Sequence, residues 1–200
     1  MPKTAGQITI NGKPGAFATP RHAIAGGLAL LPEDRKDEAI VPLASVKENI
    51  VLAWRNLAKR RAVVNGAAEL ASAKIQIDAL RVRTASADTA IASLSGGNQQ
   101  KAILARWLEA DADIILMDEP TRGIDIGARS EIYALMHRLV QDGKTLLVIS
   151  SDLPEVMGVS DRIVVMREGA VSAVVARGEA TPEILLRHAL PDFGRLAASA

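Results

Sequence analysis

Two segments, in this order, constrain the chain more than any others: Leu94-Ser95-Gly96-Gly97-Asn98-Gln99-Gln100, and the apolar run Ile114-Ile115-Leu116-Met117 closed by Asp118-Glu119-Pro120. The first puts two glycines where a helical pattern begins, with Ile103 and Trp107, and Leu104 and Leu108, spaced four apart behind them. Glycines let backbone approach a ligand closely, and a helix start offers unpaired N–H groups and partial positive charge to an anion. The second segment reads as a buried strand ending in adjacent carboxylates, where open α/β sheets place their ligands. Together they predict a phosphate-facing site on an α/β domain.

The rest of the chain supports that class. Gln7-Ile8-Thr9-Ile10 entering Asn11-Gly12 reads as a strand and tight turn, and Leu28-Ala29-Leu30-Leu31 as a buried strand closed by Pro32. From Ser45 to about Arg83 the residues favour helix, broken at Asn65-Gly66. A helix presenting Ile132, Leu135, Met136 and Leu139 stops at Gly143, a left-handed cap, and Thr145 to Ile149 follows as a second buried strand. Asp152 to Gly158 suits a short helix. Glu168-Gly169 joins Ile163–Met166 to Val171–Val175 as a hairpin, and Thr181-Pro182 starts a last helix ending near Leu190. Strand–helix–strand alternation predicts an α/β core with a mainly parallel sheet. The expected layout is one domain over residues 1–190, a helical subdomain at about 45–108, and a tail over 191–200.

Composition removes several function classes. Lys+Arg number 24 against Asp+Glu 23, a balance unsuited to a protein that mainly binds nucleic acid. Lys59-Arg60-Arg61 reads as a solvated helix face. Aromatics are only 2%, too few for a base-stacking platform. Cysteine is absent, which excludes disulfides and thiolate metal sites. No apolar run approaches the roughly 18 residues of a membrane span, so direct membrane insertion is not expected.

Two segments imitate a phosphate loop. Gly143-Lys144-Thr145 has Arg138 where the loop needs its first glycine, and a helix precedes it where a strand should. Gly12-Lys13-Pro14 has Gln7 at that glycine and proline in place of the hydroxyl residue. His22, His137 and His188 show no ligand spacing.

The segments Leu31-Pro32-Glu33-Asp34-Arg35-Lys36, Ser95 to Lys101, Asp118 to Asp125 and Ser150 to Glu155 resemble the ABC-type ATPases, in particular the second ATP-binding domain of bacterial sugar importers of the ribose, xylose or galactoside kind. The resemblance runs from about Gly6 to about Leu190. It implies a P-loop NTPase-like α/β fold that lacks its Walker A start, with ATP and Mg²⁺ as cofactors. Asp118 is then the Mg²⁺ residue, acting through water, and Glu119 orients or activates the attacking water. Ser95, Gly96, Gly97 and Asn98 form the signature that faces ATP held by a second ABC ATPase domain. Asp125 falls in the D-loop, though it also suits a cap for the helix that follows. Glu33 stands at the Q-loop position and Ser151 at the switch position, in place of the family's glutamine and histidine. Serine is shorter and does not titrate near neutrality, which weakens the hydrolytic case for this half. The remaining implied partner is a transmembrane permease, with the chain peripheral on the cytoplasmic face of the inner membrane.

Three functions follow as expectations. The first is an ATPase subunit or fragment energising carbohydrate uptake, its signature serving a partner's ATP. The second is an inactive truncated domain that only binds or regulates. The third, an ABC ATPase working on DNA or ribosomes, lacks the long coiled-coil insertions or basic linker it calls for.

Overall fold

The structure, a computed structural model, describes residues 5–15, 17–57 and 65–191. Lys59-Arg60-Arg61 and nearly all of the expected tail lie outside the described residues. The chain divides into two compact units, 1–147 and 148–200.

The first unit opens with the hairpin β1 (Thr9–Ile10) and β2 (Lys13–Pro14), turned by Asn11 at φ 50 and Gly12 at φ 73. Two consecutive left-handed residues make the turn that matches strand twist, the reason Asn-Gly is a hairpin signal. Helix α1 (Pro20–Ala25) leads to β3 (Leu28–Leu31), which pairs in parallel with β4 (Ile114–Asp118), Leu31 opposite Met117. The order is β3–β4–β5, with β5 spanning Thr145–Ile149. Ala29, Leu31, Ile115 and Met117 point into the core with Ile103 and Leu104 of α4 (Gly96–Glu109). β5 departs from the expected buried strand: Leu147 is 52% exposed and Ile149 51%. Its burial alternates residue by residue, as in a strand covered on one face only.

Helices α2 (Val46–Leu57) and α3 (Gly66–Ala79) pack with α4. Their starts are written in the sequence. Ser45 and Glu48 form a capping box: the Ser45 N–H donates to Glu48 Oε2 at 2.8 Å and the Glu48 N–H to Ser45 Oγ at 3.1 Å. Asn65 caps α3 by accepting from the Ala68 N–H at 3.1 Å, so the expected break is a helix start. Helix α5 (Ile126–Gln141) buries Ile132, Leu135, Met136 and Leu139, as its periodicity predicts. It closes with Gly143 at φ 86, where the Lys144 and Gly143 N–H groups return to the carbonyls of Leu139 and Val140.

Between α2 and α3 the guanidinium of Arg55 forks onto Glu69, which is 3% exposed, with bonds of 2.6 and 2.5 Å. That pairing holds the Glu69 carboxyl below the usual range, as Ser45 does for Glu48 and Lys101 for Glu131. A carboxylate lowered in the folded state contributes stability above its unfolded pKa, about 4.3, and loses it as pH falls through the folded value. The urea midpoint should therefore hold above pH 5 and fall below pH 4. Glu69→Gln should flatten that fall, and Arg55→Met should cost more than Glu69→Gln, because it leaves the buried carboxylate alone.

The second unit contains α6 (Leu153–Val159), the antiparallel hairpin β6 (Arg162–Arg167) and β7 (Ala170–Ala176), and α7 (Pro182–Ala189). Glu168 at φ 50 and Gly169 at φ 79 make its turn. Ile163, Val165, Val175 and Leu185 form its core. Thr181 caps α7 through the Ile184 N–H, as Thr181-Pro182 predicts.

Candidate functional site

Ser95 is the N-cap residue of α4 at φ −62 and ψ 156, exposed, and its side chain caps none of the helix N–H groups. Its hydroxyl instead accepts from Asn98 Nδ2 at 2.9 Å, while Asn98 Oδ1 accepts from the Arg83 N–H at 2.7 Å. Asn98 thus fixes the Ser95 oxygen and leaves the hydroxyl hydrogen to point outward. The helix main chain closes onto Ser95 O from Asn98 N and Gln99 N at 3.0 and 2.9 Å. The Gly96 and Gly97 N–H groups come before those bonds, in the first turn, where an α-helix has no internal acceptor. The arrangement can present N–H groups, a hydroxyl and the helix dipole to an anion, an attraction of roughly 0.3–1 kcal/mol per charge at the surface.

Both glycines leave room that a neighbour fills: at Gly97 the neighbour is a fixed Cβ, at Gly96 the end of a flexible arginine. A Cβ on Gly97 would stand 2.9 Å from the Ala128 Cβ of α5, and one on Gly96 would stand 2.5 Å from Arg35 Nη2. The signature start is therefore pressed against α5 on one side and the turn after β3 on the other.

Asp118 ends β4, half-buried, and Glu119 follows at φ 45. A non-glycine residue held in the left-handed region costs on the order of 1–3 kcal/mol, and Glu119 shares that conformation with turn residues such as Glu168. Two turns continue the loop, Arg122 N to Glu119 O at 3.1 Å and Ile124 N to Thr121 O at 3.2 Å. Asp125 then caps α5, accepting from the Ala128 N–H at 2.9 Å. The cap role expected for Asp125 is present, two residues beyond the Gly123 carbonyl that meets Arg35.

Glu33 is exposed and forms an ion pair with Arg122, which joins the turn after β3 to the carboxylate loop. Ser151 belongs to the second unit, where it is exposed between β5 and the Asp152 cap of α6. The first unit thus brings Ser95, Gly96, Gly97 and Asn98 beside α5 and the 119–125 loop, with Glu33 tied to that loop.

Sequence reasoning passed over several residues here. Lys101, 5% exposed, donates to Glu131 Oε2 at 2.5 Å and to Arg81 O at 3.3 Å, and Arg83 pairs with Glu131 Oε1 at 2.7 Å. These bonds hold α4, α5 and the segment carrying Arg83 together behind Ser95. The Lys101 hydrogen bond, then its charge, keeps the Glu131 carboxyl below the usual range. Lys101 is visible in the signature segment as a charge on an otherwise buried helix face, but nothing local identifies its partner.

Residues 1–122 match the family model described as "ABC transporter". The chain is 51% identical over 189 residues to the arabinose import ATP-binding protein AraG of Azospirillum brasilense, covering 94% of this chain and 36% of that protein. It is also 51% identical over 192 residues to the protein of that name in Pseudomonas syringae pv. tomato, covering 94% of this chain and 37% of that one. The chain thus spans little more than a third of the length of these relatives. Among solved structures, the dimeric post-hydrolysis ATP-binding cassette MJ0796 bound to ADP and Pi has TM-score 0.70 at 23% identity, over 87% of this chain and 74% of that one. The ATP-binding cassette MJ1267 has TM-score 0.73 at 20% identity, over 94% and 78%. At these identities the likeness speaks for the fold, which is that of an ABC ATPase domain.

Proposed function

Since the chain belongs to the ABC transporter family, we propose that it works as part of the ATP-binding machinery of a carbohydrate importer, presenting its signature to ATP held by a second ABC ATPase domain. The observation that carries this reading is the Ser95 start of α4, with two closely packed glycines and a hydroxyl set by Asn98. The relatives' names supply arabinose as the first sugar to test.

In this reading the Ser95 hydroxyl and the Gly96 and Gly97 N–H groups bind γ-phosphate oxygens across the domain seam. Glu119 orients the water attacking the phosphate of its own domain's site, and Asp118 stands beside it. Among the described residues no three His, Cys, Asp or Glu side chains gather as a metal cluster. Asp118, with Glu119 next in the chain, offers the one or two carboxylates that Mg²⁺ takes while keeping several waters and substrate phosphates. Asp118 would hold the ion through water, and the ion would supply charge neutralisation on the phosphates. Asp125 lies at the seam as well as capping α5. Glu33, paired with Arg122, and Ser151 stand at the positions that sense phosphate and permease in the family.

Among the described residues no helix is long and apolar enough to cross a membrane. A peripheral place on the cytoplasmic face of the inner membrane, against a transmembrane permease, completes the proposal.

A second reading, a binding or regulatory partner without turnover, draws on a specific observation: these 200 residues contain no Gly-x₄-Gly-Lys-Ser/Thr loop. One assay separates the two. The purified chain alone should hydrolyse ATP negligibly. Mixed with a domain that carries the phosphate loop, it should raise turnover, and Ser95→Arg should abolish that rise. Equal stimulation by wild type and Ser95→Arg would refute the signature role, and no stimulation by either would favour the regulatory reading.

A further inference from the structure

Arg35 follows β3 in sequence, yet its guanidinium ends on the loop after β4. Nη1 donates to Arg122 O at 2.9 Å and Nη2 to Gly123 O at 3.3 Å, across separations of 87 and 88 residues. The same group fills the space above Gly96: a Cβ built there would meet Nη2 at 2.5 Å and Gly123 O at 3.4 Å. Arg35 Nε is buried without a hydrogen-bond partner, while the side chain as a whole is half-buried. Two residues earlier, Glu33 reaches the Arg122 side chain. A single guanidinium therefore touches the signature start and the carboxylate loop while anchored in the turn after β3.

We propose that Arg35 is a positioning residue that holds the first turn of the signature and the loop from Glu119 to Gly123 at one spacing. The inference rests on the reading that the signature start faces phosphate. In that reading Ser95 serves the partner's ATP and Glu119 serves its own domain's, so Arg35 links the two nucleotide sites within one domain. It also accounts for glycine at position 96 on this chain's own geometry. Any side chain there displaces the guanidinium from the two carbonyls.

The identity of the side chain matters to this role. Two carbonyls side by side match the planar fork of arginine, whereas a lysine ammonium is a single point donor. Lysine at position 35 can keep the charge and one bond but not both in the same geometry.

The test is a hydrogen-exchange cycle on the full chain, with wild type, Arg35→Ala, Arg35→Lys, Gly96→Ala and the Arg35→Ala/Gly96→Ala double variant. The readouts are the Arg122 and Ile124 amides, which bond to Glu119 O and Thr121 O. Arg35→Ala and Gly96→Ala should each speed exchange at these amides tenfold or more, and the double variant should be no faster than either. Arg35→Lys should fall between wild type and Arg35→Ala, and it serves as the probe should the alanine variant fail to fold. Unchanged exchange at these amides, or additive effects of the two single changes, overturns the proposal.

A second measurement connects the geometry to ATP. In the ATPase assembled with a phosphate-loop domain, Arg35→Ala should lower kcat tenfold or more with KM for ATP within threefold of wild type, and Arg35→Lys should restore part of it. A rise in KM with kcat unchanged overturns the positioning role. An assembly in which wild type gives no turnover refutes the ATP reading, while the exchange cycle still decides whether Arg35 sets the spacing.

Discussion

Arg106→Met should destabilise the chain by about 3 kcal/mol, seen as a lower urea midpoint with an unchanged slope. Arg106 is 6% exposed, and burial lowers its guanidinium pKa to about 10. Its Nη1 donates to Ala39 O at 2.6 Å, its Nε to Asn49 O at 2.7 Å and its Nη2 to Asn49 Oδ1 at 3.1 Å. Asn49 is fully buried and extends the network by exchanging bonds with both backbone groups of Val41, at 2.9 and 3.1 Å. Methionine fills much of the volume but removes three bonds; Asn49 Oδ1 keeps the Val41 N–H, and an acceptor left with no partner costs roughly 1–3 kcal/mol when buried. Relief of the buried charge offsets part of that, which sets the net figure. Arg106→Lys should also be destabilising, because one ammonium cannot serve three oxygens in a fork. A cost below 1 kcal/mol for the methionine variant would mean that the segment from Ala39 to Ser45 is held by its own bonds.

The same arginine lies at the wall of a cavity of about 380 Å³, with Ile24, Leu28, Leu30, Trp107 and Leu116 also lining it. Trp107 Nε1 is buried nearby without a partner.

Where a phosphate loop completes this domain's own site, Glu119→Gln should lower ATP turnover at that site by about 10²–10⁴-fold, the usual worth of general-base help, with little change in folding. Glutamine keeps the size and hydrogen-bonding oxygen of glutamate but neither its charge nor its basicity. Glu119→Gly should act differently. At φ 45 glycine is at ease where glutamate is strained, so this variant should unfold at a higher midpoint while turnover is lost. Opposite signs on stability and activity at one residue would identify Glu119 as a site where strain is kept for function. Turnover within threefold of wild type in Glu119→Gln would remove it from the chemistry.

Much of the local architecture was legible before any coordinates. Asn11-Gly12 and Glu168-Gly169 made their hairpins, Thr181 and Asp125 their caps, and Gly143 its left-handed stop. Each signal acts within about four residues, the span over which a cap, a turn or a helical repeat is decided. The strand Ile114–Asp118 and the helix after Ser95 were readable for the same reason. β5 was read as buried because its apolar run shows composition only, and periodicity cannot say how many faces are covered. Its half exposure depends on which elements pack against the sheet.

What the sequence by itself determined is therefore the order of elements and the placing of Ser95, Gly96, Gly97, Asp118 and Glu119 at element ends. Their chemistry follows from being at those ends, where backbone N–H groups are unspent and carboxylates meet solvent. Only the tertiary structure decided how these ends are held relative to one another. Arg35 meets carbonyls 87 and 88 residues away, Arg106 reaches 57 and 67 residues back, and Lys101 finds Glu131 across 30. A charged side chain carries no local mark of its partner. Long-range pairing arises once packing brings distant carbonyls and carboxylates within reach, where low dielectric makes each bond strong and each missing one costly.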